Sequence, residues 1–112
     1  MRLVVVESPY AGKTDAEIEA NVAYARRCLK DCLDRGEAPI ASHLLYTQPG
    51  VLRDSDPEQR KLGIAAGLAW AKNADAMVIY LDRGVSQGMI NAVTYAATHE
   101  LIVEHRRLDP PK

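Results

Sequence analysis

Two stretches of the chain carry side chains that suit the binding of a small phosphorylated ligand. In one, the sequence Asp82-Arg-Gly-Val-Ser-Gln-Gly-Met89 follows an apolar run and precedes a helical pattern. Ser86 is placed to cap that helix and to hydrogen-bond a phosphate, and Gly88 allows a ligand to approach the backbone. The backbone N–H groups of a first helical turn lack partners within the helix and favour an anion.

The second stretch, Ser8-Pro-Tyr-Ala-Gly12, follows the first apolar run. In a pocket, the Ser8 hydroxyl and the backbone contact the ligand and Tyr10 covers it. Alternatively, Pro9 and Gly12 only shape the loop. The tripeptide that begins at Gly12 is Gly-Lys-Thr, but the earlier glycine of a P-loop is missing. Asn21 faces back toward this loop and binds either the substrate or the loop backbone.

Further polar residues fall at the predicted strand ends. Glu7 carries a carboxylate that is costly to bury unless solvated or paired, so it is a candidate general base or a partner of Arg83. His43 is a candidate for catalysis or ligand contact, or a hydrogen-bonded loop residue. Asp82 either holds a ribose hydroxyl or pairs with Arg83 at the surface. Arg83 and Met89 complete the predicted substrate-binding set.

Alternating strands and helices must position these residues. The strands are predicted at 2–6, 38–42, 76–81 and 101–105. The first helix opens on a Thr14–Glu17 capping box and ends at Gly36. The second begins with Asp56 as its cap and Pro57 at its first position and runs to about 73, and the third covers 87–99. Residues 43–55 are predicted as an irregular connection and 108–112 as a tail.

The order β-α-β-α-β-α-β predicts an α/β fold with a parallel sheet covered by helices on both faces. Right-handed crossovers favour a four-stranded sheet in the order 2-1-3-4, as in a Rossmann-like or flavodoxin-like three-layer sandwich. Pro39 places the second strand at an edge, or is its first residue. Ligands of such sheets bind where the strand order reverses, which here lies between strands one and three.

Composition bounds the class of protein. A chain of 112 residues with 47% hydrophobic and 26% charged residues forms one domain, 1–112. A net charge of −1 gives no indication of a nucleic-acid or membrane partner. The apolar run at 3–6 is too short for a signal peptide, so we expect a cytoplasmic protein.

The cysteines and the basic C-terminal residues are expected to be structural. Cys28 and Cys32 lie four residues apart on one helix face and are predicted to be free buried thiols in a reducing compartment. The histidines outside the pocket form no ligand set with them, so no metal and no cofactor are predicted. Arg106 and Arg107 are expected at a solvated strand end.

Taken together, these motifs resemble the nucleoside 2-deoxyribosyltransferase-like superfamily, and most closely a small branch found in bacteria and phages. The matching pieces are Ser8-Pro-Tyr-Ala-Gly12, Asn21, Pro39-Ile-Ala-x-His43-Leu-Leu, Asp56-Pro-Glu, Gly63, Gly67 and Asp82-Arg-x-x-Ser86-x-Gly88-Met89. The resemblance implies a Rossmann-like fold, a nucleoside or nucleotide pocket and a homo-oligomer.

In the active enzymes of that group, a glutamate on the third helix attacks C1′ of the sugar and an aspartate assists. In the members that hydrolyse nucleotides, Ser-x-Gly at the helix start holds phosphate. The glutamate lies four residues after the glycine, which is Ala92 here. Alanine has no nucleophile. Asn91 is adjacent but points about 100° away on the helix.

These residues and the resemblance are consistent with three alternative functions. The first is a nucleotide-binding or nucleoside-phosphate-binding protein that uses Ser8, Tyr10, Ser86 and Gly88, with Asp82 on the sugar. The second is an active N-glycosidase or deoxyribosyltransferase that uses Glu7 or Asp82. The third is a non-enzymatic interaction protein with a vestigial pocket. Small residues on the second helix, from Gly63 to Ala69, form either an oligomer interface or the ordinary contact with the sheet.

Overall fold

A computed structural model describes residues 1–109 and shows a single parallel sheet between two helical layers. The strands are β1 (Arg2–Glu7), β2 (Glu37–Ile40), β3 (Ala76–Tyr80) and β4 (Ile102–Arg106). The helices are α1 (Asp15–Asp34), α2 (Ser42–Leu45), α3 (Pro57–Ala71) and α4 (Gln87–Thr98). None of these helices is both long enough and apolar enough to cross a membrane.

The strand order is β2-β1-β3-β4, and every neighbouring pair is parallel. This confirms the predicted α/β three-layer fold and its strand order. β2 lies at an edge, as Pro39 indicated, although Pro39 is the third residue of the strand rather than the first. Because β1 and β3 are central, Val4, Val5 and Val6 of β1 and all five residues of β3 are buried.

Each face of the sheet has its own apolar core. On the α1 side, Val4, Val6, Val78 and Tyr80 pack with Tyr24 and both cysteines, which are free and buried. The opposite core joins the sheet to α3 and α4, and its members are Val5, Ala71, Met77, Ala92 and Ala96. The alternation of inward residues along β1 and β3 therefore follows the period-2 geometry of a strand.

Helix starts follow the predicted capping chemistry. The Thr14 hydroxyl accepts the Glu17 N–H in a capping box, and the Asp56 carboxylate accepts the N–H groups of Glu58 and Gln59. Ser86 Oγ accepts the Met89 N–H at 3.3 Å and caps α4. Each of these bonds satisfies a donor that the first helical turn leaves unpaired.

The structure differs from the sequence-based prediction in the segment after β2. β2 ends at Ile40, and residues 41 and 42, predicted as strand, are the N-cap and the first residue of the short helix α2. This helix occupies the start of the predicted irregular connection. The Ala41 carbonyl accepts the N–H groups of Leu44 and Leu45 and closes this turn. Four residues are too few to produce a helical repeat, so the sequence pattern gave no signal.

The C-terminal segment is packed more closely than predicted. Arg106 is 8% exposed and pairs with the buried Glu37 through two N–O distances of 2.7 Å, so the expected solvated position is wrong for this residue. Leu108 packs on the α1-side core. The remainder of the predicted tail, 110–112, lies outside the described residues.

Candidate functional site

A cavity of 390 Å³ opens at the carboxyl ends of β1 and β3, beside the first turn of α4. Its volume falls within the range of small-molecule sites. Its polar wall includes Glu7, Ser8, Tyr10 and His43. The N-cap and first turns of α4 contribute Ser86 to Met89, Asn91 and Ala92. The two strand-to-helix turns that the sequence singled out therefore meet at one cavity.

Ser8 and His43 are hydrogen-bonded across the ends of β1 and β2. Ser8 Oγ lies 2.8 Å from His43 Nε2, and Ser8 is 5% exposed. Burial lowers the pKa of His43 to about 4, so the imidazole is neutral at pH 7. The Tyr10 ring meets the His43 ring edge-on, with 6.5 Å between their centroids. His43 is thus fixed by contacts to both neighbours in the loop after β1.

Glu7 reaches the same cavity from the last position of β1. Burial raises the pKa of its carboxyl to about 7, because desolvation disfavours the charged form. Within residues 1–109, Glu7 forms no ion pair with Arg83, which the sequence had offered as its partner. The cavity therefore contains a carboxyl group that exchanges its proton near neutral pH.

Asp82 does not border the cavity. Its carboxylate accepts the Tyr24 hydroxyl at 2.6 Å and the N–H groups of Leu108 and Asp109 at 2.8 and 3.1 Å. These hydrogen bonds outweigh the effect of desolvation and lower the pKa of Asp82 to about 2. The geometry favours a structural role for Asp82, joining α1 and the C-terminal segment, over the sugar contact expected from the sequence.

Three other candidates also lie off the wall. The Arg83 guanidinium sits over the Tyr24 ring, 5.3 Å from its centroid, rather than beside Asp82. Asn21 donates to the carbonyls of Tyr10 and Ala11, at 2.9 and 3.3 Å, so it binds the loop backbone. A Cβ at Gly12 would approach the Glu17 Cβ to 2.6 Å, which explains glycine there by close packing.

The cavity also has wall residues that the sequence analysis did not propose as contacts. Asp54 and Arg60 form an ion pair at 3.3 Å, and Ile64, Gly67 and Leu68 of α3 add an apolar side. Among the residues that border the cavity, Arg60 has the cationic side chain that could bind an anionic group. The helical spacing of α3 contained this information, since Arg60, Ile64 and Gly67 recur on one helix face.

Ala92 lies on the wall at the α4 position where the resemblance places a glutamate. It is 6% exposed and belongs to the apolar core between the sheet and α4. Asn91 also borders the cavity, and its side-chain oxygen accepts a hydrogen bond from Gln87 at 3.0 Å. No residue of α4 that borders the cavity supplies a carboxylate.

The fold and the cavity define an α/β protein with a ligand-sized site at the switch point of a parallel sheet. The chain belongs to the family described as Domain of unknown function (DUF7768), which matches residues 2–106. No protein of curated function matches the sequence significantly.

A solved structure shares the fold. It is the 2-deoxyribosyltransferase from the psychrotolerant bacterium Bacillus psychrosaccharolyticus, described as a biocatalyst for the synthesis of antiviral and antitumoral nucleosides. The similarity has a TM-score of 0.65 with 16% sequence identity, and it covers 98% of this chain and 75% of that one. At this identity the likeness establishes a common deoxyribosyltransferase-like fold.

Proposed function

We propose that the protein binds a nucleotide or nucleoside phosphate in the cavity between β1, β3 and α4. The observation that carries the proposal is the meeting of both sequence motifs at this one cavity. We place the phosphate at the first turn of α4, where Ser86, Gln87 and Gly88 border the cavity and the backbone N–H groups favour an anion. The sugar and base then lie toward Tyr10, Glu7 and His43.

We also propose that the protein does not use the covalent route of the active deoxyribosyltransferase-like enzymes. Ala92 replaces the carboxylate that would attack C1′, and Asn91 offers only an amide. We propose that the chain belongs to the small branch of the deoxyribosyltransferase-like group found in bacteria and phages, and that it departs from the pattern of the active enzymes at Ala92. The accompanying proposals are a cytoplasmic location, a homo-oligomeric state and no nucleic-acid partner.

A second candidate function is cleavage of the N-glycosidic bond of the same ligand. Glu7 favours it, because a carboxyl group with a pKa near 7 on the cavity wall suits acid–base chemistry. Asp82, the other carboxylate proposed for this role, is occupied by three hydrogen bonds away from the cavity.

Binding is tested by a thermal-shift and calorimetric comparison of 2′-deoxynucleoside 5′-monophosphates with the matching nucleosides. We expect the monophosphates to raise the melting temperature and the nucleosides to bind at least about tenfold more weakly. Equal binding of both would contradict the phosphate site. Binding of neither at millimolar concentration would leave the interaction protein with a vestigial pocket as the function.

Gly88→Ala sharpens this test. A Cβ at Gly88 would meet only Ser86 Oγ, at 3.8 Å, so the variant is expected to fold normally. Because Gly88 borders the cavity, we expect the added methyl group to hinder a ligand that approaches this backbone and monophosphate affinity to fall by about tenfold or more. Thr94→Ala, on an exposed part of the same helix, is the matched control and should leave affinity unchanged.

A further inference from the structure

We propose that the ion pair between Asp54 and Arg60 recognises the base of the bound nucleotide and selects guanine. This inference rests on the proposed function and names the base of the ligand, which that function leaves open. It gives a binding role to two wall residues that lie outside the motifs found in the sequence.

The pair lies where a smaller recess adjoins the main cavity. The recess has a volume of 70 Å³. Five residues border both spaces: Ser42, His43, Asp54, Arg60 and Ile64. A nucleotide with its phosphate at the first turn of α4 and its sugar near His43 would therefore extend its base toward the pair.

Asp54 has a carboxylate oxygen without a partner among residues 1–109. Its Oδ2 accepts a hydrogen bond from Arg60 Nη1 at 3.3 Å, and this is the one hydrogen bond that its side chain makes there. Asp56 instead uses both of its oxygens, which accept the N–H groups of Glu58 and Gln59 and the Gln59 side chain. Because Asp56 caps α3, the Asp54 carboxylate can bind a ligand.

The backbone around Asp54 is held in place, whereas the charged groups of the pair are accessible. The Arg53 N–H donates to Gln59 Oε1 at 2.7 Å, and the Arg53 carbonyl accepts the Asp56 N–H at 3.1 Å. These bonds tie the chain beside Asp54 to the first turn of α3, the helix that carries Arg60. The side chains of Asp54 and Arg60 are 27% and 47% exposed, so a ligand can reach both.

The pair offers hydrogen-bond acceptors beside donors and carries no net charge. The carboxylate only accepts hydrogen bonds, and the guanidinium only donates them. A second phosphate would be attracted by Arg60 but repelled by Asp54. A neutral base edge that has N–H groups next to a carbonyl oxygen complements the pair better.

Guanine has such an edge, with the O6 carbonyl, the N1–H and the N2 amino group in one row. The two adjacent nitrogens can donate together to Asp54, and O6 then lies beside Arg60. Adenine, cytosine and thymine each present one donor nitrogen on this edge. Ile64, which borders both spaces, supplies an apolar contact for the flat face of the base.

The test measures nucleotide affinities of the purified full chain by calorimetry. The probes are the four common 2′-deoxynucleoside 5′-monophosphates and 2′-deoxyinosine 5′-monophosphate, which lacks only the N2 amino group of guanine. We expect the guanine nucleotide to bind about tenfold or more tightly than each of the others, the inosine nucleotide included. Equal affinity for the guanine and inosine nucleotides would overturn the proposal.

Asp54→Asn should change the preferred base. The amide accepts one N–H and donates another, so it complements xanthine, which has a carbonyl oxygen in place of the N2 amino group. We expect this variant to lose the preference for guanine over inosine and to gain affinity for 2′-deoxyxanthosine 5′-monophosphate by about tenfold. An ion pair that only supports folding would not produce this switch, and an unchanged preference would overturn the proposal.

Glu58→Gln is the matched control for that variant. It removes another carboxylate from the start of α3, but the Glu58 side chain is 83% exposed and borders neither space. The base preference should be unchanged. Melting temperatures without nucleotide show whether each variant folds, and the comparison of guanine with inosine on the unmodified chain needs no variant.

The same titrations separate the failure of this inference from the failure of the proposed function. Equal binding of all the monophosphates would overturn base recognition by Asp54 and Arg60 and leave the binding function standing. Binding of none at millimolar concentration would overturn the binding function and this inference with it.

Discussion

At the scale of residues, Glu7 and His43 give the free energy of unfolding opposite dependences on pH. The folded pKa of Glu7, about 7, lies above its ordinary value of 4.5, so its contribution to stability is lost as pH rises from 4.5 to 7. The folded pKa of His43, about 4, lies below 6.5, so its contribution is lost as pH falls from 6.5 to 4. Over most of this window the two slopes oppose each other.

Glu7→Gln should remove the contribution of Glu7 to the pH dependence of the free energy of unfolding and leave that of His43. We expect the stability of the variant relative to the unmodified chain to increase by about 3 kcal/mol between pH 4.5 and pH 8, since one pKa unit corresponds to about 1.4 kcal/mol. Denaturant unfolding at both pH values measures the difference. Glu19→Gln, at an exposed position of α1, is the control and should change stability equally at both pH values. An equal effect of Glu7→Gln at both would contradict the burial of this carboxyl.

The position of a residue could be predicted from the sequence where its partners are close in the chain or where the order of the strands determines its place. Ser8 and His43 were both expected at the cavity mouth because each follows a strand of a parallel sheet. The hydrogen bonds of Asp82 were not predicted, because its partners Leu108 and Asp109 lie more than 25 residues further along the chain. No local pattern around Asp82 signals backbone donors that arrive from so far along the sequence.

At the scale of elements, the cavity depends on the close crossing of α2 and α3. A Cβ at Gly67 would lie 2.5 Å from Ser42 Oγ and 2.9 Å from Ser42 Cβ. Ser42 precedes His43 in α2, so a displacement at this crossing would carry His43 with it. Gly67 thus links the packing of two helices to the position of a cavity residue.

Gly67→Ala should therefore weaken both stability and ligand binding. Alanine favours a helix by about 1 kcal/mol over glycine, but overpacking at the crossing costs about 1–3 kcal/mol. We expect a net loss in denaturant unfolding and weaker monophosphate binding by calorimetry.

Gly63→Ala is the matched control for that variant. Its Cβ would meet the flexible end of Leu52 at 3.3 Å, so we expect unchanged or slightly higher stability and unchanged binding. Equal behaviour of the two alanine variants would contradict the proposed link through Ser42.

The long helices and strands could be predicted from periodicity and capping residues, because each of these elements contains several helical turns or several alternating positions. The starts of α3 and α4 coincide with the predicted cap residues Asp56 and Ser86. The short helix α2 escaped prediction, although it contains His43. One helical turn is determined by local hydrogen bonds to Ala41 rather than by a repeated pattern.

At the scale of the whole molecule, one ion pair spans the sheet from edge to edge. Arg106 of β4 and Glu37 of β2 belong to the two outer strands. Their bidentate contact lies on the α1 side of the sheet, and both residues are buried. The Tyr80 hydroxyl and Cys32 Sγ also contact the Arg106 guanidinium, at 3.4 and 3.7 Å. The pairing lowers the pKa of Glu37.

Arg106→Gln should destabilise the fold by about 3–5 kcal/mol, because it leaves the Glu37 carboxylate buried without its main partner. Denaturant unfolding at pH 7 measures the loss. Arg2→Gln is the control, since the Arg2 side chain is 43% exposed and also approaches Glu37, at 3.4 Å. Its loss should be no more than about 1 kcal/mol. Similar losses in both variants would contradict the assignment of Arg106 as the principal partner.

The sequence placed Arg106 at a strand end but did not reveal its partner. Glu37 begins a strand at the opposite edge, and pairing between outer strands depends on the twist of the sheet and the lean of long side chains. Such contacts arise only after the tertiary fold has formed, whereas the strand order followed from chain connectivity alone.

The central position of β1 has a consequence for the order of folding during synthesis. Val4 pairs with Ala76, so one side of β1 has no strand partner until most of the chain has left the ribosome. If β1, α1 and β2 pair before that point, the half-sheet has an open edge at β1 that can pair with another chain. Contacts this distant in sequence also slow folding. The exposed edge of β1 is thus covered only when β3 pairs with it, and α4 and β4 then complete the cavity and the sheet.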